Sequence, residues 1–99
     1  MTRKAYILTY DLEDDKDYTA FHKKIDALPE VITWSHYIKT SYILITNIAS
    51  ATKLNEILLP IVPSKRFLLV ELNLNNRNGK LPEKGWEWMR NQAHKISQS

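Results

Sequence analysis

The sequence predicts an α+β domain in which two helices pack on one face of a four-stranded antiparallel sheet. Short runs of branched and aromatic residues alternate with amphipathic stretches in the order β-α-β-β-α-β. A length of 99 residues allows one hydrophobic core and no second folded domain. A composition of 43% hydrophobic and 25% charged residues is too apolar for disorder and too polar for a membrane protein.

The first strand is predicted over residues 5–12, where apolar residues lie on both faces, as in a central strand covered on two sides. An acidic run over residues 13–17 follows and ends in Asp17, a residue suited to cap a helix. Apolar side chains then recur at helical spacing up to a proline: Tyr18, Phe21, Ile25, Leu28 and Pro29. This spacing predicts an amphipathic first helix.

Residues 32–39 and 41–46 are rich in branched and aromatic residues and predict a hairpin that turns at residue 40. One face of its first run carries Trp34, His36 and Ile38. A second helix is predicted after Ser50, with an apolar stripe that Pro60 bends or ends. The nearly continuous apolar run at residues 66–74 predicts the fourth strand.

This order of elements predicts the ferredoxin-like arrangement, which we assign to residues 1–76. Residues 77–99 form a basic, tryptophan-bearing extension. Within it, Leu81-Pro82-Glu83 is typical of a helix start, although a swapped strand remains an alternative. We expect the extension to pack on the domain or on a partner subunit.

The predicted sheet has more apolar surface than two helices cover, because three of its strands are apolar on both faces. A monomer would expose a large apolar patch, which soluble monomers usually avoid. Either two sheets stack in a homodimer or the C-terminal extension covers the patch. The sequence favours the sheet-stacked homodimer, since two-fold homodimers are the commonest assembly.

Composition excludes several functional classes. The absence of cysteine excludes disulfides, thiolate zinc sites, iron–sulfur clusters and a cysteine nucleophile. The two glycines, Gly79 and Gly85, do not have the spacing of a phosphate-binding loop. No apolar run approaches the roughly 18 residues of a membrane span, so we expect a cytoplasmic protein without membrane contact.

Charge is distributed unevenly along the chain. The net charge is +3. Residues 1–17 hold three basic and five acidic residues, whereas residues 77–99 hold five basic and two acidic ones. A mildly basic tail favours nucleic acid as a partner, although such tails also occur in proteins that never bind it.

Asp11 is the leading candidate for a catalytic and metal-binding residue. It lies where an apolar strand meets the acidic loop, on the same side of the strand as Ile7 and Thr9. In a dimer stacked through that face, two Asp11 carboxylates approach each other and favour a divalent cation such as Mg²⁺, which suits phosphodiester hydrolysis. The alternative is an aspartate that only bonds nearby backbone amides.

His36 is a candidate general acid or base, because it lies between Trp34 and Ile38 on a strand and histidine side chains in general have a reference pKa near neutral pH. A packed histidine satisfied by a neighbour is the alternative. His22 lies on the side of its helix away from Phe21 and Ile25, so we expect it to be exposed and inert.

The C-terminal extension combines two tryptophans, Trp86 and Trp88, with four cations. Aromatic rings stack on bases and cations contact phosphates, which indicates a nucleic-acid contact. The cations are Arg77, Lys80, Lys84 and Arg90. The alternative is that at least one tryptophan anchors the extension by packing.

Three stretches carry a resemblance to a known family: residues 6–12, residues 34–44, and residues 67–72 together with Trp86-Glu87-Trp88. They resemble the SinR-like small bacterial proteins, which are similar to the VapD toxins and to the small CRISPR-adaptation subunit, the Cas-two family. The resemblance implies a ferredoxin-like homodimer with stacked sheets and a strand-end aspartate, here Asp11, that in some relatives binds a metal for DNA or RNA cleavage. Other relatives are non-catalytic scaffolds for DNA and a protein partner.

The sequence thus favours a small dimeric nucleic-acid-associated protein, with Mg²⁺-dependent endonuclease activity of the Cas-two-like type on RNA or DNA. A non-catalytic dimeric module that binds a protein partner is the second hypothesis. A VapD-like toxin ribonuclease is the third.

Overall fold

The computed structural model describes residues 3–11 and 18–98. Along the chain the elements are β1 (Lys4–Tyr10), α1 (Tyr18–Asp26), β2 (Val31–Ile38), β3 (Ser41–Thr46), α2 (Ala51–Leu58), β4 (Phe67–Leu72) and α3 (Glu83–Ser97). The strands form one sheet in the order β2-β3-β1-β4, and every neighbouring pair is antiparallel. The predicted α+β class and the predicted order of the first six elements are therefore confirmed.

The central strands of this sheet are β3 and β1. Each of the two connections that contain a helix within the sheet crosses one of them. Because β3 pairs antiparallel with both β1 and β2, these two strands are parallel, and α1 connects them across β3. By the same reasoning β3 and β4 are parallel, and α2 connects them across β1. The carboxyl ends of β1 and β2 consequently lie at the same edge of the sheet.

The main hydrophobic core lies between the sheet and the helices α1 and α2. Alternate residues of the central strands point into it, as the period of a strand requires. Its fully buried members are Tyr6, Leu8, Phe21, Ile25, Tyr42, Leu44, Leu54 and Leu58. Each such side chain contributes about 1.5–3 kcal/mol on burial, so this layer dominates the stability of the fold.

The ends of the helices follow from local chemistry. Ser50 caps α2, since its hydroxyl accepts a hydrogen bond from the backbone N–H of Lys53 at 3.4 Å. α2 ends at Leu58, before its apolar stripe ends, because Pro60 has no N–H to continue the helix. The predicted cap of α1, Asp17, lies outside the described residues.

The second face of the sheet is partly covered by α3. Ala93 of this helix joins a second, smaller core with Ala5, Ile45 and Leu74, against which Trp88 also packs. The extension is therefore a helix and not a swapped strand. A Cβ at Gly85 would lie 3.3 Å from the Tyr37 ring, so glycine allows α3 to approach β2 closely.

The part of the second face around Leu68 and Val70 of β4 is left uncovered. Ile7 and Val70 are paired across β1 and β4, and Thr9 is paired with Leu68. Leu68 is 59% exposed and Val70 is 43% exposed, while Ile7 is half-buried. We call Ile7, Leu68 and Val70 the open strip. The predicted excess of apolar surface is thus covered by α3 on one side and exposed on the other.

The prediction that Trp34, His36 and Ile38 share one face is wrong for Ile38. The register between β2 and β3 shifts between Ser35 and Ile38. Trp34 packs against the main core, whereas Ile38 lines a cavity beneath α3 together with Ile43. Single-residue periodicity cannot anticipate a bulge, because an extra residue reverses the face of every side chain after it.

The predicted bounds of the first and fourth strands extend too far toward the C-terminus. β1 ends at Tyr10 and β4 spans Phe67–Leu72, whereas the apolar runs extend beyond both. Leu74 is buried, but it belongs to the loop that leads to α3. In the two described ranges, no helix has both the length and the apolar character to cross a membrane.

Candidate functional site

Asp11 directly follows β1, and its backbone is held in place. Its N–H donates to the carbonyl of Arg66 at 3.1 Å, and its carbonyl accepts a hydrogen bond from Ser64 Oγ at 2.9 Å. The Tyr18 hydroxyl also donates to this carbonyl, at 3.4 Å. The side chain is exposed, and its carboxylate has no hydrogen bond or ion pair within residues 3–11 and 18–98. The fold thus fixes the position of Asp11 and leaves its carboxylate free for a ligand.

Asp11 lies in an open part of the surface, next to the positively charged side chain of Arg66. Asp11 lines a shallow depression of about 350 Å³ together with Thr9, Arg66 and Leu68. Thr9 and Leu68 belong to the second face of the sheet, so the depression continues the open strip toward the edge. A carboxylate and an exposed guanidinium group therefore lie at the end of an exposed apolar surface.

The described residues fit a shared cation better than a complete metal cage. Mg²⁺ keeps several waters and is commonly bound by one or two carboxylates and by substrate phosphates. One exposed, unpartnered carboxylate fits this mode. Within the described ranges no cluster of three histidine or acidic residues is present, and the acidic run 13–17 lies outside them. The described part of one chain thus supplies a single carboxylate. A further ligand would come from a second subunit or from the substrate.

His36 lies on the helix face of the sheet, where it packs on Tyr42. The two rings are parallel within 6°, with centroids 4.1 Å apart. The ring nitrogen Nε2 donates to the backbone carbonyl of Lys39 at 2.8 Å. Because a carbonyl only accepts, this bond assigns the proton to Nε2 and leaves Nδ1 as the acceptor of the neutral ring. His36 is thus a packed histidine that is held through Nε2 by a neighbouring carbonyl.

His22 is not exposed and inert, which corrects the prediction. It is half-buried, its Nε2 is hydrogen-bonded to the Tyr42 hydroxyl, and its ring lies 5.3 Å from that of His36. Burial, together with the neighbouring His36, lowers the pKa of His22, and the nearby Asp26 opposes this shift. Burial also raises the pKa of the Tyr42 hydroxyl far above its ordinary value, which keeps it protonated.

Asp11 and His36 lie at the same edge of the sheet but on different sides of it. His36 and Tyr10, the residue before Asp11, both bind the turn between β2 and β3. The Tyr10 hydroxyl donates at 2.9 Å to the same Lys39 carbonyl as His36. His36 packs toward the helices, whereas the depression at Asp11 includes Thr9 and Leu68 of the second face. The structure therefore does not join these two candidates in one site.

Two of the four cations proposed to bind nucleic acid have partners within the chain. Arg77 Nη1 donates to the carbonyl of Leu74 at 2.7 Å, and Arg90 forms an exposed ion pair with Glu83 at 2.9 Å. Lys80 and Lys84 are exposed. The extension therefore presents fewer free cations than its sequence indicates.

A groove between α3 and the loop that precedes it is a feature that the sequence analysis missed. It has a volume of about 220 Å³ and is lined by apolar side chains of the sheet and by Trp86 and Lys80 of the extension. The feature of the sequence that could have indicated it is the asparagine-rich run at residues 73–78, which is followed by Gly79. Loops rich in asparagine and glycine adopt special backbone conformations and often carry binding sites.

These features define a small α+β protein with an exposed carboxylate beside an apolar strip, a half-buried histidine pair and a groove beside α3. Comparison with models of protein families, with curated proteins and with solved structures finds no match.

Proposed function

We propose that this protein is a homodimer, stacked through the open strip, that cleaves phosphodiester bonds of RNA or DNA with a Mg²⁺ ion held by Asp11 of both subunits. The observation that carries the proposal is the free Asp11 carboxylate at the end of an exposed apolar surface. Metal-dependent cleavage needs a carboxylate that no other group has neutralised.

The fold supports this proposal. The two crossovers and the strand order β2-β3-β1-β4 are consistent with a ferredoxin-like assignment. Under that assignment, the resemblance to the SinR-like, VapD and Cas-two families implies stacked sheets and a strand-end aspartate, and Asp11 directly follows β1.

The open strip supports the dimer. Large exposed apolar side chains on a sheet face are typical of a protein–protein contact. A two-fold contact is self-complementary, so with its axis near Thr9 and Leu68 the two Asp11 carboxylates face each other. Two carboxylates at short range repel each other unless a cation lies between them. Cation binding and dimerisation are therefore coupled.

The residues of the chain have distinct roles in this mechanism. Asp11 from each subunit holds the cation, which when bound polarises the scissile phosphate and lowers the pKa of a water nucleophile. Arg66, exposed in the same depression, contacts a phosphate oxygen of the backbone. Ser64 fixes the Asp11 backbone through its hydroxyl and so limits the movement of the carboxylate.

Cleavage of single-stranded RNA, single-stranded DNA and duplex DNA is measured with Mg²⁺, with Mn²⁺ and with a chelator. Asp11→Asn removes a metal ligand and lowers the cleavage rate. Loss of an outer-shell partner of a metal site already costs roughly 10–100-fold in activity, so loss of the ligand itself is expected to cost more. Glu56→Gln, an exposed carboxylate of α2, is the matched control and leaves the rate unchanged. A parent protein without cleavage, or unchanged cleavage by Asp11→Asn, contradicts the catalytic proposal.

The dimer is measured separately by sedimentation equilibrium. Mg²⁺ tightens the dimer of the parent protein and of Glu56→Gln, but not that of Asp11→Asn, in which the cation has lost its ligands. If Mg²⁺ affects all three proteins equally, the shared cation site is wrong. Loss of viability on expression of the parent protein, but not of Asp11→Asn, would identify the ribonuclease as toxin-like.

A second candidate function is a non-catalytic dimer that binds a protein partner. It is favoured by the ion pair between Arg90 and Glu83, which reduces the free positive charge of the extension. Salt separates the two functions: binding to nucleic acid weakens steeply as salt is added, whereas an apolar protein contact does not.

A further inference from the structure

The groove between the loop 73–81 and α3 has an apolar interior. It is lined by residues of the sheet, of the loop and of α3. The apolar residues among them include Ile38, Ile43, Leu72, Leu74, Trp86 and Met89. None of the residues of the Asp11 depression lines this groove, so the two sites are separate.

The rim of the groove is polar and positively charged. Three asparagines, Asn73, Asn76 and Asn78, line it together with Arg77 and Lys80, and no carboxylate from the described part of the chain does. One Arg77 nitrogen is bound to the Leu74 carbonyl, which holds the guanidinium group in place while its other N–H groups remain as donors. The groove therefore combines an apolar slot, amide groups and fixed positive charge.

The loop that forms this rim is held by its own hydrogen bonds. The Asn75 N–H donates to Asn73 Oδ1 at 3.1 Å, and the Gly79 N–H donates to Asn78 Oδ1 at 2.8 Å. Gly79 has φ of +151°, a conformation that side chains rarely adopt, and a Cβ there would lie 3.9 Å from Trp86 Cη2. The ring of Trp86 thus lies close to the backbone of Gly79.

We propose that this groove binds one unpaired nucleobase of a single-stranded nucleic acid. The base stacks on Trp86 and against the apolar walls, an amide of Asn76 hydrogen-bonds the base edge, and Lys80 with Arg77 contacts the adjoining phosphate. The volume suits one base, since a cavity of about 150 Å³ already holds a benzene ring. The inference rests on the proposed association with nucleic acid, but it does not require Asp11.

The test is a titration of the full-length protein with the four nucleoside 5′-monophosphates, followed by tryptophan fluorescence and by NMR shifts of loop 73–81. Saturable binding is expected. Trp86→Leu keeps an apolar side chain but removes the aromatic face, and it weakens binding roughly 5- to 100-fold. Thermal unfolding of Trp86→Leu is measured alongside to show that the variant is folded.

A matched pair of lysine substitutions tests the phosphate contact. Lys80 lines the groove and Lys95 does not, although both are exposed in the extension. Lys80→Gln weakens binding and reduces its salt dependence, whereas Lys95→Gln leaves both unchanged. Equal effects of the two variants would overturn the assigned phosphate contact.

Sodium benzoate is the competing ligand, because it has an apolar ring and a negative charge but no base edge. Weaker binding of benzoate than of the nucleotides supports the inference, and equal or tighter binding overturns it. Absence of saturable binding by all four nucleotides also overturns it. Asp11→Asn retains nucleotide binding, so loss of cleavage in that variant and loss of binding in Trp86→Leu report on the two proposals separately.

Discussion

The open strip predicts how strongly a single substitution weakens the dimer. Leu68 is 59% exposed on a face with apolar neighbours, and Leu68→Ser removes nearly all of its apolar side chain. Full burial of a leucine contributes about 1.5–3 kcal/mol, so the exposed part of Leu68 supplies about 1–2 kcal/mol when a partner covers it. A two-fold contact contains this residue twice, which makes the expected loss about 2–3.5 kcal/mol per dimer. The dissociation constant then rises roughly 30- to 400-fold.

Sedimentation equilibrium over a range of protein concentrations measures this constant. Leu59→Ser is the matched control, because Leu59 is 60% exposed but lies at the end of α2, on the helix side of the sheet. It removes the same amount of exposed apolar surface without touching the open strip. A dimer that Leu68→Ser and Leu59→Ser weaken equally, or that neither weakens, refutes the assignment of the strip as the interface.

Two further predictions concern stability. The lowered pKa of His22 means that its neutral form is favoured in the folded protein, so the free energy of unfolding falls as pH decreases from the unfolded value of 6.5 toward the folded pKa. Urea unfolding at about pH 7.5 and pH 5 should show a smaller decrease for His22→Gln than for the parent protein, and equal decreases would contradict this. Ser64 is 7% exposed, donates to the Asp11 carbonyl and accepts from the Arg66 N–H at 3.3 Å, so Ser64→Ala should cost about 1–3 kcal/mol. Ser97→Ala, at an exposed hydroxyl of α3, should cost less than about 0.5 kcal/mol, and a Ser64→Ala effect no larger than this would show that the hydroxyl does not secure the site.

The local elements were predictable because their signals are short in sequence. Tyr6 and Leu8 alternate with residues of the other face in β1, and Phe21 and Ile25 are spaced by one helical turn in α1, so each pattern contains its own period. The proline after α2 and the serine before it mark that helix for equally local reasons. The exposed position of Asp11 also followed from its place between an apolar strand and an acidic loop.

The histidine pair was not predictable, because it depends on the packing of α1 against the sheet. A helical wheel shows that His22 points away from Phe21 and Ile25, but it does not show which strand residues extend to that side. Tyr42 of β3 reaches His22 with its hydroxyl and His36 with its ring face. The contact between His22 and Tyr42 joins residues 20 positions apart in sequence, which no local period records.

The sequence by itself determined the order of strands and helices, the exclusion of cysteine chemistry and a carboxylate at the end of the first strand. Each of these depends on residue type or on a period of a few residues. Only the tertiary structure decided that α3 buries Ala5 and Ile45 but leaves Leu68 and Val70 exposed, and that the loop before α3 encloses a groove. The reason is that burial depends on which surfaces meet when the whole chain packs. The sequence shows that the sheet has more apolar residues than two helices cover, but several arrangements of helices or subunits could bury them.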